Sequence, residues 1–114
     1  MRPARTIGMA HFQDFHGAYF TLQSIRLNNP ELMPTTEFVI VDNSPGTSHS
    51  QMLKDLAHKM HSECAGVIYV EMAAPQGTSP SRNRIFDEAS GEYVLVLDCH
   101  VLLKPGALQA LDHY

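Results

Sequence analysis

Four short apolar runs constrain this chain more than anything else in it: "RTIGMAHF" (Arg5 to Phe12), "TEFVIVD" (Thr36 to Asp42), "AGVIYVE" (Ala65 to Glu71) and "EYVLVLD" (Glu92 to Asp98). They are apolar nearly throughout instead of alternating, the pattern of strands covered on both faces. Between them the spacing turns helical. Phe15, Ala18, Tyr19, Leu22 and Ile25 predict a helix ending at the breaker near Pro30, and Leu53, Leu56, Ala57 and Met60 mark the stripe of a second. After the loop "APQGTSPS", the segment "RNRIFDEAS" predicts a third helix, starting near Ser81 and ending at Gly91. A fourth is expected in "KPGALQALDHY", with Pro105 in its first turn. The order β-α-β-α-β-α-β-α implies an α/β fold: a Rossmann-like parallel sheet with helices on both faces and right-handed crossovers.

Size and charge narrow the function classes. The 114 residues suit a single domain, residues 1–114, and a hydrophobic share of 44% argues against disorder. A net charge of −4 without charge blocks argues against a dedicated nucleic-acid surface, and leaves room for a local basic site. No segment approaches the roughly 20 apolar residues of a membrane span, and "MRPARTIGMA" lacks the apolar stretch of a signal peptide. Two cysteines, Cys64 and Cys99, make no disulfide framework and suit a reducing compartment. The chain reads as soluble and cytoplasmic.

Ligands of open parallel sheets sit beyond the carboxyl ends of the strands. The polar residues at those ends, His11, Asp42, Glu71, Asp98 and His100, are therefore expected to converge on one crevice with the loop around Gly77. Asp98 and His100 stand two apart in an extended segment, so both side chains can reach one ion, and carboxylate plus imidazole suits Mn²⁺, Mg²⁺ or Zn²⁺. The alternative is a turn-capping Asp98 and a polar loop His100. Asp42 can accept hydrogen bonds from a ribose hydroxyl or a base N–H, or it can close an Asx-turn with Asn43, Ser44, Pro45 and Gly46. Gly77 lets a backbone approach a ligand closely. Arg82 and Arg84, expected in the first turn of the third helix, oppose its dipole unless a diphosphate binds there. The alternative pairs them with Asp87 and Glu88. His58, His61 and Cys64 are spaced by three but read as a solvated helix end, while His16, His49 and His113 have no partner visible in the sequence. Cys99 lacks a base, and no Walker loop, catalytic triad or G-x-G-x-x-G fingerprint is present.

The succession "RTIGMAHF", "EFVIVDNSP" and "QGTSPSRNRIFDEASGEYVLVLDCHVLLKPGAL" resembles the nucleotide-sugar-binding half of a family 2-type glycosyltransferase of the GT-A fold, over almost the whole chain. The resemblance implies transfer of a sugar from a nucleotide-diphosphate donor, a UDP-sugar favoured, to an unknown acceptor. It implies that Asp42 contacts the uracil or ribose. It also implies that Asp98-Cys99-His100 replaces the D-x-D motif in the D-x-H form seen in polypeptide N-acetylgalactosaminyltransferases, with Asp98 and His100 holding Mn²⁺ or Mg²⁺ and Asp98 meeting the donor ribose. Where the family has a Pro-Thr-like segment after the first strand, this chain has Ala10, His11 and Phe12, and His11 or Phe12 would flank the base. Members of the family are longer, which implies a truncated chain that binds donor without turnover and exposes apolar surface favouring homo-oligomers. Two other readings compete: a non-catalytic α/β interaction module, and a nucleotidyltransferase. The second is disfavoured because "AHFQDF" is not the Gly-rich loop such enzymes carry after the first strand.

Overall fold

In a computed structural model the residues described are 2–43, 46–72, 78–98 and 104–112, the side chains of 78 and 79 excepted. Four strands form one parallel sheet: β1 (Arg5–His11), β2 (Thr36–Asp42), β3 (Gly66–Glu71) and β4 (Tyr93–Leu97), in the order β3-β2-β1-β4. The helices are α1 (Phe15–Asn28), α2 (Ser48–Met60), α3 (Thr78–Glu88) and α4 (Ala107–Asp112). The expected class and element order hold.

The two inner strands show why the runs are continuous. All seven residues of β2 are buried, and six of seven in β1. On one face Ile7, Met9, Phe38 and Ile40 pack with Ala18, Leu22 and Ile25 of α1, Leu53, Leu56 and Met60 of α2, and Leu108 of α4. On the other, Val39, Val41 and Val70 pack with Ile85 of α3. The chain steps from β1 to β2 to β3 in one direction, then returns past β1 to β4. A crossover of the same hand run backwards must traverse the opposite face, and α3 does so.

Local chemistry sets the helix ends. Asp14 caps α1 by accepting from the Gly17 N–H at 3.0 Å, and Thr47 caps α2 by accepting from the Ser50 N–H at 3.3 Å. Three boundaries differ from expectation. A 3₁₀ helix, Pro30–Thr35, replaces the simple breaker after α1; Pro30 sits in its first turn, where a missing N–H costs nothing. For the same reason α3 begins at Thr78 and carries Pro80 in its first turn, three residues before the expected start. Pro105, expected inside the fourth helix, lies in the turn that precedes α4.

The amino ends of the strands are fastened by polar side chains. Arg5, only 3% exposed, donates to Leu32 O, Thr35 Oγ1, Thr36 Oγ1 and the Asp112 carboxylate, which ties β1 to the 3₁₀ helix and to α4. Buried Glu37 accepts from Thr6 Oγ1 at 2.8 Å, from the Ser90 N–H at 2.9 Å and from Ser90 Oγ at 2.7 Å. The Gly91 N–H donates to Thr6 Oγ1 at 2.9 Å. Together these bonds pin the α3–β4 turn to β1 and β2, leaving the opposite, carboxyl end of the sheet for a ligand.

Candidate functional site

The order β3-β2-β1-β4 reverses direction between β1 and β4, and that reversal point is where open parallel sheets form a ligand crevice. β1 ends at His11, one residue short of the expected Phe12, so Phe12 leaves the sheet and is 54% exposed. Gln13 follows in the left-handed region at φ 48°, a conformation a non-glycine residue holds only where its surroundings impose it. The chain thus turns sharply between β1 and the Asp14 cap, presenting the Phe12 ring at the rim.

His11 and Asp42 are register partners on neighbouring strands, so their side chains share the α1/α2 face of the sheet. They do meet: His11 Nε2 lies 3.4 Å from Asp42 Oδ1, with both side chains fully buried. Tyr69 of β3 donates its hydroxyl to Asp42 Oδ2 at 2.7 Å, and Ser50 of α2 donates to the same oxygen. Burial draws the His11 pKa below its usual value, against the pull of Asp42 and of Asp14, and His49 adds to the lowering. Burial, reinforced by the bond to Asp42, pushes the Tyr69 phenol well above its ordinary range. As arranged, Asp42 and His11 therefore form a buried floor beneath the strand ends. Asn43, the next residue along, is the one that reaches the surface; its N–H donates to His11 O at 2.9 Å.

Among the described strand-end residues, Glu71 and Asp98 do not join this pair in one crevice. Leu97 packs toward the α1/α2 core and Val96 toward α3. Asp98, one residue on, continues the alternation onto the α3 side. There its carboxylate lies 3.9 Å from the Arg82 guanidinium of α3, with side-chain exposures of 85% and 53%. Because α3 starts at Thr78, Arg82 sits in the second turn and not the first, so the conflict with the helix dipole expected for it disappears. Arg84 takes the alternative partner: it pairs with Glu88 at 3.2 Å. Glu71 pairs with Lys54 on the outer side of β3, away from the reversal point. Gly77 and His100 lie outside the described residues. Asp98 suits a hard divalent ion in being a solvent-facing carboxylate whose contact with Arg82 is loose and exposed; among the described residues no group of three His, Cys, Asp or Glu side chains gathers around one point.

Two histidine readings are settled by position. His58 and His61 are exposed at the end of α2, with His61 at its C-cap. His49, which has no partner visible in the sequence, accepts the Phe15 N–H on Nδ1 at 3.0 Å and so helps cap α1. Tyr69 and Ser50 escaped the sequence reading, and Asn43 entered it only as part of an Asx-turn. Tyr69 carried one signal, a polar tip two residues before Glu71 on the same face of an apolar strand.

A parallel sheet with helices on both faces and a reversal point beside its first strand, with a carboxylate and a guanidinium at the mouth, define a Rossmann-like α/β protein. The chain belongs to glycosyl transferase family 2, whose model matches residues 7–111. Its fold is shared by solved structures of TarS from S. aureus. The structure of TarS 1-349 superposes with a TM-score of 0.78 at 18% identity, covering 99% of this chain and 32% of that one. TarS 1-349 in complex with UDP gives 0.77 at 18%, covering 99% and 31%. A longer TarS structure gives 0.77 at 17%, covering 99% and 19%. The chain thus spans about a third of the length of TarS 1-349. No curated protein matches it. Among the described residues no helix is long and apolar enough to cross a membrane.

Proposed function

We propose that these residues form the donor-binding half of a glycosyltransferase, with the diphosphate of a nucleotide sugar lying beyond the carboxyl ends of β1 and β4. One juxtaposition carries the reading. At the reversal point of the sheet, exposed Asp98 and exposed Arg82 stand 3.9 Å apart at the end of an otherwise apolar strand. A lone carboxylate there would repel a diphosphate, and an arginine beside it offers a planar, two-pronged donor for phosphate oxygens. A divalent ion, Mn²⁺ or Mg²⁺, held by Asp98 with His100 would supply Lewis-acid neutralisation of the negative charge that builds on the departing diphosphate. Arg82 would then turn from Asp98 toward the phosphates, and Gly77 would let a backbone approach them closely. Phe12, exposed at the rim, offers a flat face to the base, with Asn43 beside it. His11 and Asp42 set these two residues from below, and Asp42 would touch the base or ribose only on release from Tyr69 and Ser50. The UDP bound by TarS 1-349 favours a UDP-sugar as the donor. Because the chain spans about a third of TarS 1-349, we assign donor binding to these residues, and the acceptor site and catalytic base to other sequence.

Titration calorimetry with UDP and with GDP, each with and without Mn²⁺, tests this. The expected result is UDP binding that needs the metal and is lost when Asp98 and His100 are both replaced by Ala. Binding indifferent to the metal, or to that double replacement, overturns the reading. A folded sample that binds neither nucleotide favours a non-catalytic interaction module instead.

A further inference from the structure

The buried group beneath the strand ends is expensive for a fold to keep. Two ionisable side chains, His11 and Asp42, lie side by side without solvent, and apolar residues of similar size would fill the space at lower desolvation cost. The Tyr69 hydroxyl joins them. It lies 2.7 Å from Asp42 Oδ2 and 3.3 Å from His11 Nε2. Its single proton goes to the carboxylate, so toward the imidazole the oxygen can only accept. His11 must then carry its proton on Nε2, where the same N–H also faces Asp42 Oδ1. Nδ1 is left as a lone pair, buried and without a partner, and a proton placed there would be an orphaned donor. The tautomer is thus dictated by Tyr69, whose raised pKa keeps the phenol protonated through neutral pH. The consequence reaches the surface through two backbone links. Asn43 N–H donates to His11 O and Met72 N–H to Asp42 O, both at 2.9 Å. Phe12 and Asn43 are therefore carried by the two residues that Tyr69 holds together.

We propose that Tyr69 is a positioning residue of the donor site, its hydroxyl locking His11 to Asp42 and thereby fixing the strand ends that present Phe12 and Asn43 to the nucleotide. This rests on the donor-binding reading above. Tyr69→Phe keeps the ring, which lies half-buried beneath Lys54, and removes only the bridging oxygen. In the whole chain the variant is expected to stay folded, to bind UDP with Mn²⁺ about tenfold more weakly, as befits one lost hydrogen bond to a buried charge, and to lose the pure Nε2–H signature of the His11 ring in ¹⁵N NMR. Ser50→Ala, which takes a different donor from the same carboxylate oxygen and leaves the Tyr69 bridge in place, is expected to leave the His11 tautomer unchanged. If Tyr69→Phe fails to fold, the ¹⁵N spectrum of the unaltered protein still decides: a His11 ring protonated on Nδ1 overturns the lock. Unaltered UDP affinity in folded Tyr69→Phe overturns the positioning role, since a purely structural hydroxyl would change stability alone. If the unaltered protein binds no UDP, the donor-binding reading falls, and this role falls with it.

Discussion

Two glycines make opposite predictions for one substitution. A Cβ added at Gly91 would lie 2.5 Å from the Arg5 carbonyl carbon, 2.5 Å from the Thr6 nitrogen and 2.7 Å from Thr6 Oγ1, where ordinary contact begins at 3.4 Å. The first two atoms are backbone of β1, held between β2 and β4, so no rotamer change makes room. Either β1 bends or the α3–β4 turn lifts by close to an ångström. Lifting it breaks the Gly91 N–H bond to Thr6 Oγ1 and weakens the bonds from Thr6 and Ser90 to buried Glu37. Overpacking costs about 1–3 kcal/mol, and a buried group left without its partner adds about 1–3 kcal/mol. Gly91→Ala should therefore cost about 2–6 kcal/mol, a large share of the roughly 5–15 kcal/mol that holds a domain together. Gly66→Ala is the control. Nothing lies within 4 Å of its added Cβ, so it should be neutral, or stabilising by about 0.4–1 kcal/mol through the unfolded chain. Urea unfolding followed by circular dichroism reads both, as a fall in midpoint for the first and none for the second. Equal midpoints would refute the claim that this turn is seated against the β1 backbone.

Three further outcomes follow from the same packing. A Cβ at Gly8 would collide with the Cγ2 methyl of fully buried Ile85, so Gly8→Ala should destabilise by about 1–3 kcal/mol; adding Ile85→Ala should recover part of that, giving a double mutant more stable than the sum of the two single losses in urea unfolding. The lowered pKa of His11 means that the unfolded chain takes up its proton first. Stability should therefore be full above about pH 6.5, decline as the pH falls through that value, and level off below the folded pKa; in thermal melts His11→Gln should flatten that decline, and an unchanged slope would contradict the assignment. Arg84 is engaged with Glu88, whereas Arg82 faces Asp98. Calorimetry should show Arg82→Ala weakening UDP binding about five- to tenfold, within the range of a charge-assisted hydrogen bond, and Arg84→Ala leaving it unchanged.

How much of this was legible in the sequence follows the range of the interactions. Continuous burial of "TEFVIVD" and its neighbours is a local pattern, and it carried the parallel sheet and the order of elements. The helix stripe Leu53, Leu56, Ala57 and Met60 likewise became the buried side of α2. The start of α3 was misplaced because "TSPS" has loop composition, although a proline in the first helical turn breaks no bond. The site was legible as a list of strand-end residues, but not as an arrangement. Which sheet face each side chain takes depends on strand register and on where each strand stops. A single step from Leu97 to Asp98 moves the carboxylate to the α3 side, away from His11 and Asp42. Arg5 and Glu37 stand at the starts of apolar runs, yet both are buried, and their partners Asp112 and Ser90 stand 107 and 53 residues away. No local pattern announces such pairs.

The central claim is that the nucleotide lies at the carboxyl ends of β1 and β4, and amide chemical-shift mapping tests it most directly. ¹⁵N-labelled protein titrated with UDP and Mg²⁺ should show its largest shifts at Phe12, Asn43, Arg82 and Asp98, with Mn²⁺ in place of Mg²⁺ broadening Asp98 and its neighbours first. Shifts centred instead on Arg2, Ser90 and Gly91 at the amino ends of the sheet, or on Tyr19, Phe20 and Leu27 along the exposed side of α1, would contradict it.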